Sequence, residues 1–185
     1  MMAALQNADQ FDGIVAGAPI LEQHVAQIGS MQILQEFTRI APPGVDGKPV
    51  LSRAFSDADL GLIQRDVLAQ CDALDGVTDG SVDHPAACRY NPSALQCSAT
   101  RSSQCLSPAQ VGALARVLEG PRDSRGRGLY EPYPIDAGVI QWRGAMLGTS
   151  ATAPPNAARA TNTSVKYVFM TPPAPDFDYL SFNFD

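Results

Sequence analysis

The stretch from Cys71 to Cys88 contains the side chains best suited to chemistry in this sequence. It carries four aspartates and two glycines, namely Asp72, Asp75, Asp79, Asp83, Gly76 and Gly80. Carboxylates at staggered positions of a short loop suit a hard cation such as calcium, which takes only oxygen ligands and accepts backbone carbonyls beside them. The stretch, which we call the acidic loop, therefore predicts a calcium site.

The predicted ligands are three carboxylates and two backbone carbonyls. Asp72, Asp75 and Asp79 would supply the charge, and the carbonyls of Val77 and Ser81 would complete the coordination. The glycines allow the backbone to turn so that these carbonyls face one point.

The spacing excludes one familiar calcium motif and leaves one alternative open. Counted from Asp75, the position at which an EF-hand requires its glutamate is Ala86, so the loop is not an EF-hand. Asp-Gly pairs are also common turn formers, and the four acids could simply be solvated.

The four cysteines fall at positions 71, 88, 97 and 105, in a polar region without C-x-x-C spacing, so zinc is not indicated. Of the three possible pairings, Cys71 with Cys88 and Cys97 with Cys105 is favoured, because each bond then closes a short loop between neighbours. Two disulfides would indicate an oxidising compartment, secreted or periplasmic. The alternative is four buried thiols in a cytosolic protein.

Composition narrows the class of protein. With 185 residues, 45% hydrophobic, 17% charged and a net charge of -6, the chain resembles one globular domain or part of one. The acidic balance and the scattered basic residues argue against a nucleic-acid partner. No apolar run approaches the roughly 20 residues that span a bilayer, so no membrane partner is expected. The oligomeric state is not indicated.

One strand and three helices are predicted to position the acidic loop. Residues 11–19 read as a buried strand of the parallel type. Apolar residues recur with helical spacing over 20–37, before Pro42-Pro43-Gly44 breaks the pattern into a loop. Ser56 should cap a helix that leads directly into the loop. Ser107, followed by Pro108 and by Gln110, predicts a capping box at the start of another helix.

After Pro121 the sequence predicts long loops with short helices. Trp142 with Tyr130 and Tyr133 could line an aromatic pocket, although a core tryptophan is the simpler interpretation. No G-x-S-x-G, phosphate loop, H-E-x-x-H or paired Cys and His occurs, and neither His24 nor His84 is assigned a role.

Three stretches together resemble the tannase and feruloyl esterase family of α/β-hydrolases. FDGIVAGAP at 11–19 resembles the strand after the nucleophile helix, CDALDGVTDGSVDHP at 71–85 the calcium loop, and residues 97–118 the following disulfide and helix. The resemblance implies an α/β-hydrolase fragment. Residues 1–20 would form the end of the nucleophile helix and one core strand, and residues 21–185 a mostly helical, loop-rich lid with a disulfide-framed calcium loop.

The resemblance also implies the same calcium ligands and the same two disulfides. The family's nucleophilic serine lies in a Gly-Cys-Ser-x-Gly-Gly turn that would precede Met1, and its aspartate and histidine would follow the lid. The chain alone is therefore predicted to be inactive. Residues 130–142 lack the Gly-Ala-Glu expected ahead of the tryptophan.

The function implied is part of a secreted or periplasmic carboxylic ester hydrolase whose substrate is a small aromatic ester (feruloyl, galloyl or related), with calcium as a structural ion. The alternative is a stand-alone secreted calcium-binding module that binds carbohydrate or protein, with Trp142 as a stacking group. The strand at 11–19 favours the first interpretation, because a lone strand of the buried parallel type has no partner within this chain.

Overall fold

A computed structural model describes residues 6–15, 17, 22–98 and 103–185. The α-helices of this part are α1 Gln23–Ile40, α2 Asp57–Cys71, α3 Pro108–Glu119 and α4 Asn156–Ser164. Its 3-10 helices are Ala8–Gln10, Leu51–Arg53, Asp72–Asp75, Pro92–Leu95, Ala137–Gln141 and Tyr179–Ser181, and its π-helical turns are Arg143–Leu147 and Val165–Phe169. Isolated bridges join Pro43 to Pro49, Gln96 to Leu106 and Arg122 to Gly128. The mostly helical, loop-rich content agrees with the prediction.

Helices α2 and α3 begin at the predicted residues, each with a complete capping box. The Ser56 hydroxyl accepts from the Asp59 N–H (3.1 Å), and the Asp59 carboxylate accepts from the Ser56 N–H (2.8 Å). Ser107 and Gln110 repeat this exchange at 3.2 and 2.9 Å. Both helix starts therefore satisfy backbone donors that would otherwise lack a partner.

Helix α1 ends just before the Pro42-Pro43-Gly44 break that the sequence indicated. The apolar spacing runs to Phe37, and the helix continues three residues further, to Ile40. Ala41 is extended and precedes Pro42, which disfavours helical backbone at the residue before it. The proline, rather than the last apolar residue, sets the end of α1.

The core lies between α1, α2 and α3. Phe37 and Phe55 are fully buried and pack edge to face at 5.3 Å between ring centroids. Trp142 is only 5% exposed and lies 5.7 Å from the ring of Phe37 and 5.7 Å from that of Tyr133. Burial of each such side chain contributes about 1.5–3 kcal/mol. Trp142 is thus a core residue, as the simpler interpretation held.

The strand predicted at residues 11–19 is not confirmed. The described residues of this stretch, 11–15 and 17, form no strand, and Phe11, Ile14 and Val15 are exposed. A strand needs a neighbour to pair its backbone groups, and the described residues offer none. Residues 16, 18 and 19 and the predicted boundary near residue 20 lie outside the described residues. So do residues 1–5 of the segment predicted to end the nucleophile helix.

Candidate functional site

Two disulfides frame and follow the acidic loop, with the pairings that the sequence favoured. Cys71 and Cys88 are joined with a Cα–Cα distance of 5.3 Å, and Cys97 and Cys105 with one of 4.9 Å. Cys71 is buried at the last residue of α2. The helix therefore carries the chain into the acidic loop, and the bond to Cys88 closes it.

Asp72 organises the acidic loop from its first residue. It is only 7% exposed. Its Oδ1 accepts from the backbone N–H of Asp79 (3.1 Å) and of Gly80 (3.3 Å), and its Oδ2 accepts from Gly80 as well (3.2 Å). One buried carboxylate thus draws the far side of the loop towards the end of α2.

The other acids of the acidic loop hold shorter turns. The Asp75 carboxylate accepts from the Val77 N–H (2.9 Å) and, across the loop, from the Asp83 N–H (3.3 Å). The Asp79 carboxylate accepts from the Ser81 N–H (3.1 Å), and the Ser81 hydroxyl donates to Asp83 (2.7 Å). The residues that carry the five predicted calcium ligands therefore lie in one hydrogen-bonded loop.

The oxygen donors of the acidic loop fit a hard cation. Their side chains, however, do not converge on one point as the ligands of a bound ion would. The loop offers carboxylates, and none of its four aspartates belongs to an ion pair formed within the described part of the chain. Gly76 and Gly80 have φ of 97° and 85°, a conformation that turns the backbone sharply. Among the described residues, no group of three or more Asp, Glu, His or Cys side chains converges on one point. Calcium would have to replace backbone N–H groups at these carboxylates.

A cleft of about 620 Å³ lies between the first half of α1 and residues 121–134. Tyr130, Tyr133 and neighbouring prolines form one wall, and α1 forms the other. A β-carbon at Gly29 would lie 3.3 Å from Cδ1 of Tyr130, so the missing side chain gives this ring its room. The lining includes Glu22 and Glu131 but no lysine or arginine. The cleft therefore suits a flat apolar or aromatic group.

Sequence reasoning identified one wall of this cleft and missed the other. Tyr130 and Tyr133 were candidates for an aromatic pocket, and both line the cleft, while Trp142 lies in the core. The helix wall contains Ala26, Gly29 and Ser30. Small residues at this helical spacing are the signal that marks a face open to close approach.

The comparisons with known proteins agree with the fold. The model of the family described as "Tannase and feruloyl esterase" matches residues 1–185. Mono(2-hydroxyethyl) terephthalate hydrolase of Piscinibacter sakaiensis is 36% identical over 200 residues, covering 95% of this chain and 33% of that protein. An uncharacterized esterase of Xanthomonas campestris is 34% identical over 191 residues, covering 100% and 31%.

A solved structure shares the fold. The crystal structure of feruloyl esterase B from Aspergillus oryzae superimposes with a TM-score of 0.69 at 24% identity, covering 98% of this chain and 33% of that one. The chain spans about a third of the length of the curated relatives that it matches. The chain belongs to the tannase and feruloyl esterase family.

Proposed function

We propose that this chain is the lid-bearing part of a carboxylic ester hydrolase that acts on aromatic esters, with a feruloyl, galloyl or related acyl group, by a serine mechanism. The observation that carries the proposal is the family match over all 185 residues. The chain itself supplies the lid and a structural calcium site, while the catalytic serine, aspartate and histidine are contributed by sequence outside these residues.

The cleft beside α1 supports an aromatic substrate. Its walls are formed by Tyr130, Tyr133 and prolines, which offer flat apolar surface to a ring. In the intact enzyme, serine attack on the ester carbonyl, with histidine as base and backbone N–H groups holding the oxyanion, would take place beneath this lid. The chain would then select the substrate by the shape of its cleft, and it would supply none of the catalytic groups.

The proposed calcium site consists of the carboxylates of Asp72, Asp75 and Asp79 with the carbonyls of Val77 and Ser81. A bound calcium ion would neutralise the charge of the acidic loop and fix its turn. Its role is structural, because neither His84 nor either hydroxyl of the loop, on Thr78 and Ser81, is assigned a catalytic role.

The proposed location is secreted or periplasmic. Two disulfides within the described residues are consistent with an oxidising compartment. None of the helices in the described ranges is long and apolar enough to cross a membrane. The stand-alone carbohydrate-binding alternative loses its proposed stacking group, because Trp142 is buried in the core.

The proposal is tested by comparing two proteins in an assay of ferulate release from methyl ferulate. One is the 185-residue chain. The other is the same chain extended at both ends by the residues that the flanking DNA encodes. We expect no hydrolysis by the first and hydrolysis by the second, with loss of activity when the serine of its Gly-Cys-Ser-x-Gly-Gly turn is replaced by alanine. Hydrolysis by the chain alone would refute the assignment of the catalytic groups, and an extended chain inactive on every aromatic ester would refute the function.

A further inference from the structure

The cleft between α1 and residues 121–134 has one carboxylate on each wall. Glu22 lies directly before the first residue of α1, and Glu131 lies on the opposite wall, between Tyr130 and Pro132. The described residues that line the cleft include no lysine, arginine or histidine. We propose that Glu22 and Glu131 make this cleft select an aromatic ligand by charge, favouring rings that carry phenolic hydroxyls over rings that carry a free carboxylate. This inference rests on the proposed function.

The two carboxylates of the cleft are not neutralised by a neighbouring cation. Within the described part of the chain, neither Glu22 nor Glu131 belongs to an ion pair, and the Glu22 side chain does not cap α1. Each therefore presents a negative charge to a molecule that enters the cleft. The N-terminus of α1 carries a partial positive charge that offsets Glu22 in part, so Glu131 should have the larger effect of the two.

The charges around the tyrosine wall are also predominantly negative. Burial, and after it the charge of Asp136, raises the pKa of Tyr133 in that wall. A neighbouring cleft of about 410 Å³ is lined by three glutamates and one arginine, namely Glu22, Glu119, Glu131 and Arg122. One guanidinium cannot offset three carboxylates, so a ligand held against the tyrosine wall meets a net negative potential.

Hydrogen bonding favours the same class of ring as charge does. A carboxylate accepts hydrogen bonds and has none to donate. A phenolic hydroxyl can therefore donate to Glu22 or Glu131, whereas a ring carboxylate brings only acceptors and adds like-charge repulsion. The hydroxyls of Ser30, Tyr130 and Tyr133 also line the cleft and can donate to either kind of ring. The preference therefore depends on the two glutamates.

The preference is measured on the extended, active enzyme with three methyl esters that differ only at the para position of the ring. The substituents are a hydroxyl, a methyl group and a carboxylate, in the cinnamate series or, if the enzyme acts only on benzoates, in the benzoate series. We expect KM to be lowest for the hydroxyl ester and about tenfold higher for the carboxylate ester than for the methyl ester. This tenfold gap should narrow as ionic strength rises, because salt screens the repulsion.

Substitution of the two glutamates assigns the effect to the cleft. Glu131→Gln keeps the size of the side chain and removes its charge, and we expect it to narrow the KM gap between the carboxylate and methyl esters by about threefold. Glu22→Gln should narrow the gap less. Asp176→Asn is the control, because Asp176 is exposed and does not line the cleft, and it should leave the gap unchanged.

The outcomes separate failure of the function from failure of this inference. If the extended enzyme hydrolyses no aromatic ester, the proposed function is wrong. If it is active but the KM gap is absent, reversed or unchanged in both glutamate variants, the function stands and charge selection by the cleft is refuted. An equal narrowing in Asp176→Asn also overturns the inference, since it would reflect the net charge of the protein.

Discussion

The side-chain amide of Gln110 donates to the carboxylate of Asp59 at 3.1 Å, so the capping boxes of α2 and α3 are hydrogen-bonded to each other. The same amide donates to the carbonyl of Ala54 (3.0 Å), and its oxygen accepts from the Ser107 N–H (2.9 Å). One glutamine therefore caps its own helix and fixes the start of the neighbouring one. Since α2 ends at the acidic loop, this contact also sets the direction from which the loop is entered.

The link between Gln110 and Asp59 should be measurable as a coupling energy. We expect Gln110→Ala and Asp59→Ala each to lower the free energy of unfolding by about 1 kcal/mol, the usual effect of losing a helix cap. The double variant should lose less than the sum by about 1 kcal/mol, because the shared hydrogen bond can be lost only once. Urea unfolding of the four proteins completes the cycle, and additive effects would show that the two caps act independently.

Arg143 is expected to be intolerant of lysine. Its guanidinium donates at 2.7 Å to each of three acceptors, the Asp57 carboxylate and the carbonyls of Ser52 and Phe55. Lysine cannot match this fork from one ammonium group. We expect Arg143→Lys to lower the free energy of unfolding by about 2 kcal/mol, most of it from the two carbonyls left without their donor.

Arg53 provides the matched control for that substitution, because it is an exposed arginine between Ser52 and Phe55, the residues whose carbonyls Arg143 contacts. Arg53→Lys should change the free energy of unfolding by less than about 0.5 kcal/mol. Equal effects of the two substitutions, measured by thermal unfolding at one pH, would contradict the role given to the fork of Arg143.

The helix starts could be predicted from sequence because their signals are local. Ser56 and Ser107 each lie three residues before the side chain that completes a capping box, and both helices begin where this spacing indicates. The apolar stripe of α1 runs only to Phe37, and the proline after Ala41, which the sequence indicated as a break, sets the end of the helix. Periodicity locates the middle of a helix better than its end.

A functional feature could be predicted when its residues are neighbours in the sequence. The acidic loop and its disulfide lie within residues 71–88, so their composition and spacing could be read directly. Only the tyrosine wall of the cleft could be predicted from the sequence. The cleft forms where Tyr130 lies against Gly29, and these residues are about a hundred positions apart in the sequence. No local pattern specifies which faces of distant segments will meet.

Substitutions in the acidic loop should distinguish predicted calcium ligands from neighbouring acids. We expect calcium to raise the melting temperature of the chain relative to chelator, because an ion that binds only the folded state stabilises it. Asp75→Asn and Asp79→Asn should each abolish this difference. Asp83→Asn is the control, since Asp83 lies in the same loop but outside the predicted ligand set.

The calcium experiment has two contrary outcomes. A melting temperature unaffected by calcium would refute the site. Loss of the calcium effect in Asp83→Asn, equal to that in the two ligand variants, would show that net loop charge matters and that the ligand assignment is wrong. Differential scanning fluorimetry on the four proteins is sufficient.

Asp123 should give the fold a distinct acid sensitivity. Its carboxylate accepts the backbone N–H groups of Arg127 (2.8 Å) and Arg125 (3.0 Å) and the Arg127 guanidinium (3.1 Å). The Arg127 N–H, first among these contacts, holds the Asp123 pKa below its ordinary value of 3.8, although burial acts in the opposite direction. Because the folded-state pKa is depressed, the carboxylate stabilises the fold fully above the unfolded pKa, and this contribution is lost as pH falls below it through the folded pKa.

Asp123→Asn should therefore lower the melting temperature at pH 7, and the deficit relative to the original protein should shrink as pH falls below about 4. Asp9→Asn, at an exposed position near the N-terminus, is the control and should leave the pH profile unchanged. Both variants and the original chain are compared by thermal unfolding in chelator, so that the acidic loop does not add a calcium dependence. A deficit that stays constant from pH 7 to pH 3 would show that Asp123 acts through hydrogen bonding that asparagine cannot reproduce, rather than through its charge.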